Sequence, residues 1–252
     1  MSSTVQLRIR ASLGSPASVR CKAAPCLLCS QPDGSAPGRL SVLITSKRAT
    51  HMKMQDLAAE LGDSATIMQL DVADATAVTS MFATIESRFG GVDLLFNNAG
   101  LGISSPFESS DPADWKSMID ANLYGVLNCT QAAIPLMRGR AGAMICSVSS
   151  VGGRYGAATW SVYSATKYAV VGFHDALRKK LGEEGIRVSV LEPGAVWTEF
   201  GENVSDVLLT RRTQLEAMQP EDVAQALVFA FAQPANVLIQ EILMRPVKQI
   251  AP

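Results

Sequence analysis

Short apolar runs alternate along most of the chain with longer stretches in which apolar residues recur every three or four positions. Residues 41–45, Ser-Val-Leu-Ile-Thr, form the first clear run of this kind and predict a buried parallel strand. Residues 54–61 follow with helical character and are closed by Gly62. Residues 67–70 lead into Asp71-Val72 and predict a second strand. Asp74 then offers an N-cap carboxylate to a stretch in which Val78, Met81, Phe82 and Ile85 share one helical face, and Gly90-Gly91 stops it after Phe89.

The same alternation continues to the C-terminal end. Residues 93–96 predict a strand running into Asn97-Asn98-Ala99-Gly100, and a long helical region extends from Asp114 to about Met137. The apolar run Ala143-Met144-Ile145-Cys146 predicts another strand that ends just before Ser150, followed by a helix carrying Tyr163, and then a strand at 187–191. Pro220-Glu221-Asp222 opens a further helix, and residues 237–244 predict a last strand. Strands alternating with helices imply the α/β class, a single doubly wound parallel sheet. No internal repeat and no second domain is visible, so residues 39–252 are expected to form one Rossmann-like unit.

The chemistry concentrates between Ser147 and Lys167. Tyr163 and Lys167 are four apart in a helical segment, so they share a face and an ammonium lies beside a phenol. A free phenol has a pKa of about 10, and a neighbouring cation favours the phenolate, which predicts that Tyr163 exchanges a proton near neutral pH. Ser150, thirteen residues earlier, ends a buried strand and is placed to hold the same substrate oxygen. An aromatic and a lysine at this spacing are also ordinary on a helix, so the setting has to decide.

Composition narrows the picture. With 48% hydrophobic residues in 252, the chain is long and apolar enough for a substantial core. A net charge of -1 and scattered basic residues give no footprint for nucleic acid, and no apolar run reaches membrane-spanning length. Cys129 and Cys146 fall in segments that read as core. Cys21, Cys26 and Cys29 imitate an iron–sulfur spacing but lack a preformed loop and a fourth ligand, and the two histidines, His51 and His174, are expected in solvated or half-buried roles rather than on a metal. No metal site is expected. Residues 1–38 differ from the rest: rich in Ser, Ala and Pro, with Arg8, Arg10, Arg20 and Lys22 and no acidic residue before Asp33. That composition fits an organellar transit segment with a cleavage region at 19–23, an unstructured tail, or a shifted reading frame. The expected location is the cytoplasm, or a plastid or mitochondrial matrix if the first 22 or so residues are removed in transit.

In order along the chain, Asp71-Val72, Asn97-Asn98-Ala99-Gly100, Asn122, Ser150, Tyr163-x-x-x-Lys167 and Glu192-Pro193-Gly194 resemble the short-chain dehydrogenase/reductase family over residues 40–252. The end of the chain, Glu241 to Pro246 with Gln249, resembles its NADP-dependent 3-hydroxy acid or serine dehydrogenase branch. The resemblance implies that Tyr163 is the acid/base, that Ser150 stabilises the developing oxyanion, and that Lys167 tunes the tyrosine and holds the nicotinamide ribose. It implies that Asn122 holds a water in the proton relay. Asp71 and Val72 would meet adenine, Asn98, Ala99 and Gly100 would let backbone approach the cofactor, and Thr198, after Pro193 and Gly194, would contact the nicotinamide amide. It also implies a homo-oligomer, a dimer or tetramer packed through helices near 114–137 and 161–181, acting on a small-molecule substrate. For Asn97 and Thr198 a cap or turn role competes. Substrate choice would lie in the lid between residues 199 and 220, where Arg211 and Arg212 could meet a carboxylate or face water.

The basic pair Lys47 and Arg48, just past the strand at 41–45, favours a 2′-phosphate and hence NADP over NAD. One element of the family pattern is missing. Its first strand, its TGxxxGxG turn and the following helix should precede Ser41, and none is recognisable. Residues 4–10 alternate in polarity and carry arginines unsuited to a sheet centre, whereas Cys26-Leu27-Leu28-Cys29 suits a short buried strand, with Gly34 and Gly38 imitating part of the turn. Only eleven residues, 30 to 40, then separate it from Ser41, which leaves no room for a helical parallel crossover. Two functions therefore stand at this point: an NADP-dependent oxidoreductase for a small alcohol or carbonyl compound, and a dehydrogenase-like binding or structural protein that cannot hold a dinucleotide.

Overall fold

The computed structural model describes residues 26–30, 40–45, 65–198, 200 and 206–250. The segment 1–25, the Gly34 and Gly38 positions, Lys47, Arg48, His51 and the helix expected at 54–61 lie outside the described residues. Seven strands form one sheet among those described: β1 (Cys26–Ser30), β2 (Leu40–Thr45), β3 (Ala65–Gln69), β4 (Leu94–Asn97), β5 (Met144–Val148), β6 (Arg187–Pro193) and β7 (Glu241–Met244), in the order β3-β2-β1-β4-β5-β6-β7. The described helices are α1 (Ala75–Phe89), α2 (Pro112–Ile119), α3 (Gly125–Met137), α4 (Ser161–Leu181), α5 (Asp206–Gln214) and α6 (Pro220–Phe231).

Local chemistry accounts for the helix ends. Asp74 caps α1 by accepting from Thr76 N at 2.9 Å and Ala77 N at 3.0 Å, a contribution of about 1 kcal/mol. Gly90 ends it in the left-handed region at φ 72°, its N–H returning to Glu86 O. The apolar stripe then packs inward: Val78, Phe82 and Ile85 join Leu95, Ile145, Val188 and the fully buried Met137 of α3 in one core layer. A second layer sets Leu94, Met144 and Leu191 against Val223, Ala224 and Leu227 of α6. The sheet is thus covered on both faces, and β4 to β6 are buried along almost their whole length. Cys129 on α3 and Cys146 on β5 are buried free thiols.

The parallel expectation holds for every neighbouring pair except those made by β1. Cys26–Ser30 does take the central place between β2 and β4, but it runs antiparallel to both, with Cys26 opposite Ile44 and Asn97 and Ser30 opposite Leu40. The connection length explains this direction: the nine residues 31–39 are too few for a crossover and ample for an antiparallel return. The chain therefore enters β1 at the edge where β2 and β4 end, and leaves it at the opposite edge.

Two further differences matter. The helical region expected from Asp114 begins at Pro112, capped by Asp111, and is broken by a π-helical turn at Asp120–Tyr124. His174, expected to be solvated or half-buried, is fully buried on the inner face of α4. Its Nδ1 bonds Val170 O at 2.9 Å while Nε2 has no partner, and burial pushes its pKa down to about 4. Because the unfolded chain binds the proton more readily between pH 6.5 and 4, this histidine costs stability as pH falls through that window. Urea unfolding is expected to show about 2 kcal/mol less stability at pH 5 than at pH 7 from this source. His174→Leu should lose that part of the acid sensitivity, and an unchanged difference between the two pH values would contradict the assignment. No helix among the described residues is long and apolar enough to cross a membrane.

Candidate active site

The C-terminal edges of β4, β5 and β6 open onto a cavity of about 780 Å³. Of the residues singled out from the sequence, Asn98, Gly100, Ser150, Tyr163, Lys167, Pro193, Gly194 and Thr198 line it together. Asp71, Val72, Ala99 and Asn122 lie outside its wall, and Lys47 and Arg48 lie outside the described residues.

Ser150 leaves the end of β5 and caps the short helical turn at Val151–Gly153, its Oγ accepting from Gly152 N at 3.0 Å and lying 3.5 Å from Pro193 O. The turn is fastened to α4 by Ser149, whose Oγ donates to Lys167 O at 3.0 Å. Gly153 has to be bare here, because a Cβ would press to 3.0 Å from Lys167 O. That close approach sets α4 against the turn and brings Tyr163 to Ser150, whose hydroxyl acts to lower the phenol's pKa.

Electrostatics at the pair differ from what helix spacing alone predicts. Burial pushes the Tyr163 phenol up to about 12, and the Ser150 hydrogen bond pulls part of the way back. Lys167 is 5% exposed, and burial pushes its ammonium down to about 8. Its Nζ donates to Val148 O at 2.9 Å and sits 5.7 Å from the centre of the Tyr163 ring, over the ring rather than on the hydroxyl. Proximity along the helix is as expected; desolvation, which the sequence does not display, governs both groups.

Asn122 sits in the π-helical turn and is 1% exposed. Its Oδ1 accepts from Leu101 N at 2.8 Å, and its Nδ2 donates to Leu101 O at 2.9 Å and Thr166 Oγ1 at 3.0 Å. The side chain therefore pins the strand β4 exit to α4. A Cβ at Gly100 would stand 3.0 Å from Asn122 Oδ1 and 3.5 Å from Lys167 Nζ, so glycine keeps this floor open. Asn97 serves as neither cap nor turn: its Nδ2 donates to Thr130 Oγ1 and Ser147 Oγ in the interior.

Asp71 is exposed and accepts from Ala73 N at 2.9 Å, while Val72 is buried and its carbonyl accepts from Asn128 Nδ2 at 3.0 Å. Asn128 thus fixes this turn, a role no motif indicated. At the other end, Gly194 N donates to Met244 O at 2.7 Å and Ala195 N to the buried Gln249 Oε1 at 2.9 Å, so the C-terminal tail shapes the Pro193-Gly194 corner. Thr198 Oγ1 accepts from Phe200 N at 3.2 Å. Arg154 grips the buried Glu192 with two bonds of 2.7 and 3.0 Å and also reaches Glu241, tying the Ser150 turn to the end of β6. Of the lid arginines, Arg211 lines the cavity, and Arg212 bonds Thr198 O at 3.0 Å and Phe200 O at 2.7 Å, holding the lid's own backbone. Trp160 and Phe200, which no motif flagged, stand beside Tyr163 with ring centres 5.3 and 5.6 Å away.

Residues 37–208 match the family model described as short chain dehydrogenase. An uncharacterized oxidoreductase of Staphylococcus aureus (strain USA300) is 32% identical over 196 residues, which is 77% of this chain and 82% of that protein. Among solved structures, serine dehydrogenase from Escherichia coli is 32% identical with a TM-score of 0.71, covering 83% of this chain and 88% of that one. The closed form of serine dehydrogenase complexed with NADP+ is 33% identical with a TM-score of 0.75, covering 83% and 86%. An alcohol dehydrogenase from the archaeon Thermococcus sibiricus, complexed with 5-hydroxy-NADP, is 25% identical with a TM-score of 0.73, covering 84% and 87%.

Proposed function

The chain belongs to the short-chain dehydrogenase family and is an oxidoreductase of that family, and from this premise we propose that it transfers hydride reversibly between NADP and a small alcohol or carbonyl compound. The observation that carries the reading is the meeting of Ser150, Tyr163 and Lys167 with Gly100, Gly194 and Thr198 in one cavity. In the reducing direction, Ser150 Oγ orients the substrate oxygen and Tyr163 Oη delivers its proton as that oxygen becomes an alkoxide. Lys167 offsets the phenolate charge left behind. The hydride, which no side chain supplies, would come from a reduced nicotinamide held at Gly100, Gly194 and Thr198. Gly100, Pro193 and Gly194 offer bare backbone to such a ring, Thr198 a hydroxyl to its amide, and Asp71 and Val72 an adenine contact. Lys47 and Arg48 would meet the 2′-phosphate, in keeping with the NADP and 5-hydroxy-NADP carried by the similar structures. The branch resemblance admits a 3-hydroxy acid as substrate. It also extends the reading to a homo-oligomer meeting through α3 and α4.

One observation favours a second reading. The residues fit the nicotinamide end of the cofactor, but β1 leaves the sheet at the edge away from the cavity. No helix N-terminus can follow β1 at the edge where a pyrophosphate would lie, which is the usual cradle for that group. A dehydrogenase-like protein that binds no dinucleotide would have this arrangement.

Titrating the 252-residue chain with NADPH and with NADH, followed by protein fluorescence, separates the two. The first reading expects saturable NADPH binding at roughly micromolar concentration, at least about tenfold tighter than NADH. A folded chain that binds neither would abandon hydride transfer in favour of the second reading.

A further inference from the structure

Beside Tyr163, Trp160 and Phe200 give the cavity one aromatic side, brought together from two separate segments. Trp160 meets the Tyr163 ring edge-on at 72°, Phe200 tilts against it at 58°, and Trp160 and Phe200 lie nearly parallel, 15° apart with centres 6.4 Å apart. These are separations of rings in direct contact, so they form a continuous apolar wall and leave no room for an ammonium caged between them. Behind the wall, a Cβ at Gly102 would stand 2.5 Å from Phe200 Cζ and 2.8 Å from Trp160 Cζ3, so the rings occupy space that only glycine leaves.

Hydrogen bonds on the backbone beside each ring hold both rings in place. Thr159, just before Trp160, has φ 65°, a left-handed conformation that is strained for a β-branched residue. It is kept there by Ser105 N donating to its carbonyl at 2.9 Å and by the Ser104 and Thr159 hydroxyls bonding each other at 2.8 Å. Phe200 is held from the lid by Arg212, whose guanidinium is half-buried and bonded to the carbonyls of Thr198 and Phe200. The Ser104 and Thr159 hydroxyls and the Arg212 guanidinium are therefore engaged with the protein itself, and Val151, Ala157, Ala158 and Leu215 add apolar residues to the cavity lining.

We infer that the substituent on the reacting carbon is a flat or branched apolar group, as in an aryl or branched-alkyl carbonyl compound or its alcohol, packed against Trp160 and Phe200. This rests on the reading that Tyr163 handles the substrate oxygen, because the rings flank that phenol. A charged amino-acid end set in the same place would give up its hydration against aromatic surface without a partner in exchange. A carboxylate further along the substrate is compatible with the site, since Arg211 also lines the cavity.

The test uses the full chain and two probes, acetophenone and serine. Titration with acetophenone is expected to quench indole fluorescence saturably, with Trp160→Phe removing most of the signal while Trp115 and Trp197 remain. Phe200→Ala and the bulkier Phe200→Leu, each first checked for folding by circular dichroism, should weaken acetophenone binding about tenfold and about threefold. With NADPH or NADP supplied, acetophenone and 1-phenylethanol should exceed serine at least tenfold in kcat/KM. Acetophenone binding that Phe200→Ala weakens, without any turnover, would keep the aromatic side as the binding surface for an apolar group and overturn the hydride-transfer reading alone. Turnover of serine in preference to the aryl pair would keep hydride transfer and overturn this inference. Equal acetophenone affinity in folded wild type and Phe200→Ala would overturn it too.

Discussion

Replacing Tyr163 with phenylalanine is expected to lower the rate of NADPH-dependent carbonyl reduction by about 10²–10⁴-fold, the usual worth of a positioned proton donor. The ring would keep its packing on Trp160 and Phe200, so the fold should change little, by about 1 kcal/mol for the lost hydroxyl contact with Ser150. The expected effect is on kcat, with NADPH affinity nearly unchanged, because the phenol acts on the transition state rather than on cofactor binding. With the phenol pushed up to about 12, wild-type Tyr163 is fully protonated at neutral pH and stands ready as an acid for reduction. Alcohol oxidation needs the phenolate instead, so its rate should climb with pH through the neutral range. Ser150→Ala removes the bond that lowers the phenol, so the oxidation profile should move to higher pH. A Tyr163→Phe protein with wild-type kcat would take the proton-transfer role away from this residue.

The parts of this site that the sequence revealed are those set by local spacing. Asp74 and Gly90 bound α1 because cap chemistry acts within a turn, and Tyr163 and Lys167 meet because four residues make one helical turn. Long-range features were less visible for different reasons. A short apolar run such as 26–29 points to a strand but says nothing of its direction. Connection length to Ser41 carried that information, and it already excluded the parallel return. The π-helical turn that carries Asn122 has no apolar signature, since one inserted residue leaves the stripe on either side intact. Trp160 and Phe200 lie forty residues apart, and only the tertiary fold, with Gly102 beneath them, makes them one surface. Burial was hidden most of all: spacing placed an ammonium beside a phenol, while the depth of the site moved both groups away from their charged forms.

That burial leads to the second large effect, in which activity and stability move in opposite directions. Lys167→Met should reduce carbonyl reduction by about 10² or more, because no cation would then offset the Tyr163 phenolate. The same change should stabilise the fold. Lys167 has its folded pKa lowered to about 8 from an ordinary value near 10.5, so the unfolded chain binds this proton more tightly and folding is penalised wherever the lysine is charged. Below pH 8 the penalty is about 3 kcal/mol, and the lost bond from Nζ to Val148 O returns about half of it, leaving a net gain of about 1–2 kcal/mol for a methionine of similar length. The sign follows from the direction of the shift: as pH rises from 8 to 10.5 the wild type sheds its penalty, so the advantage of the variant should shrink over that window. Comparing urea unfolding of the two proteins at pH 7 and pH 10, both in a Tyr163→Phe background so that the phenol cannot titrate, isolates this lysine. The wild-type reduction rate should fall above pH 8 as the ammonium is lost. A Lys167→Met protein less stable than wild type at pH 7 would mean that the ammonium is held by stronger interactions than its contact with Val148, and that it is no reserve of strain kept for the reaction.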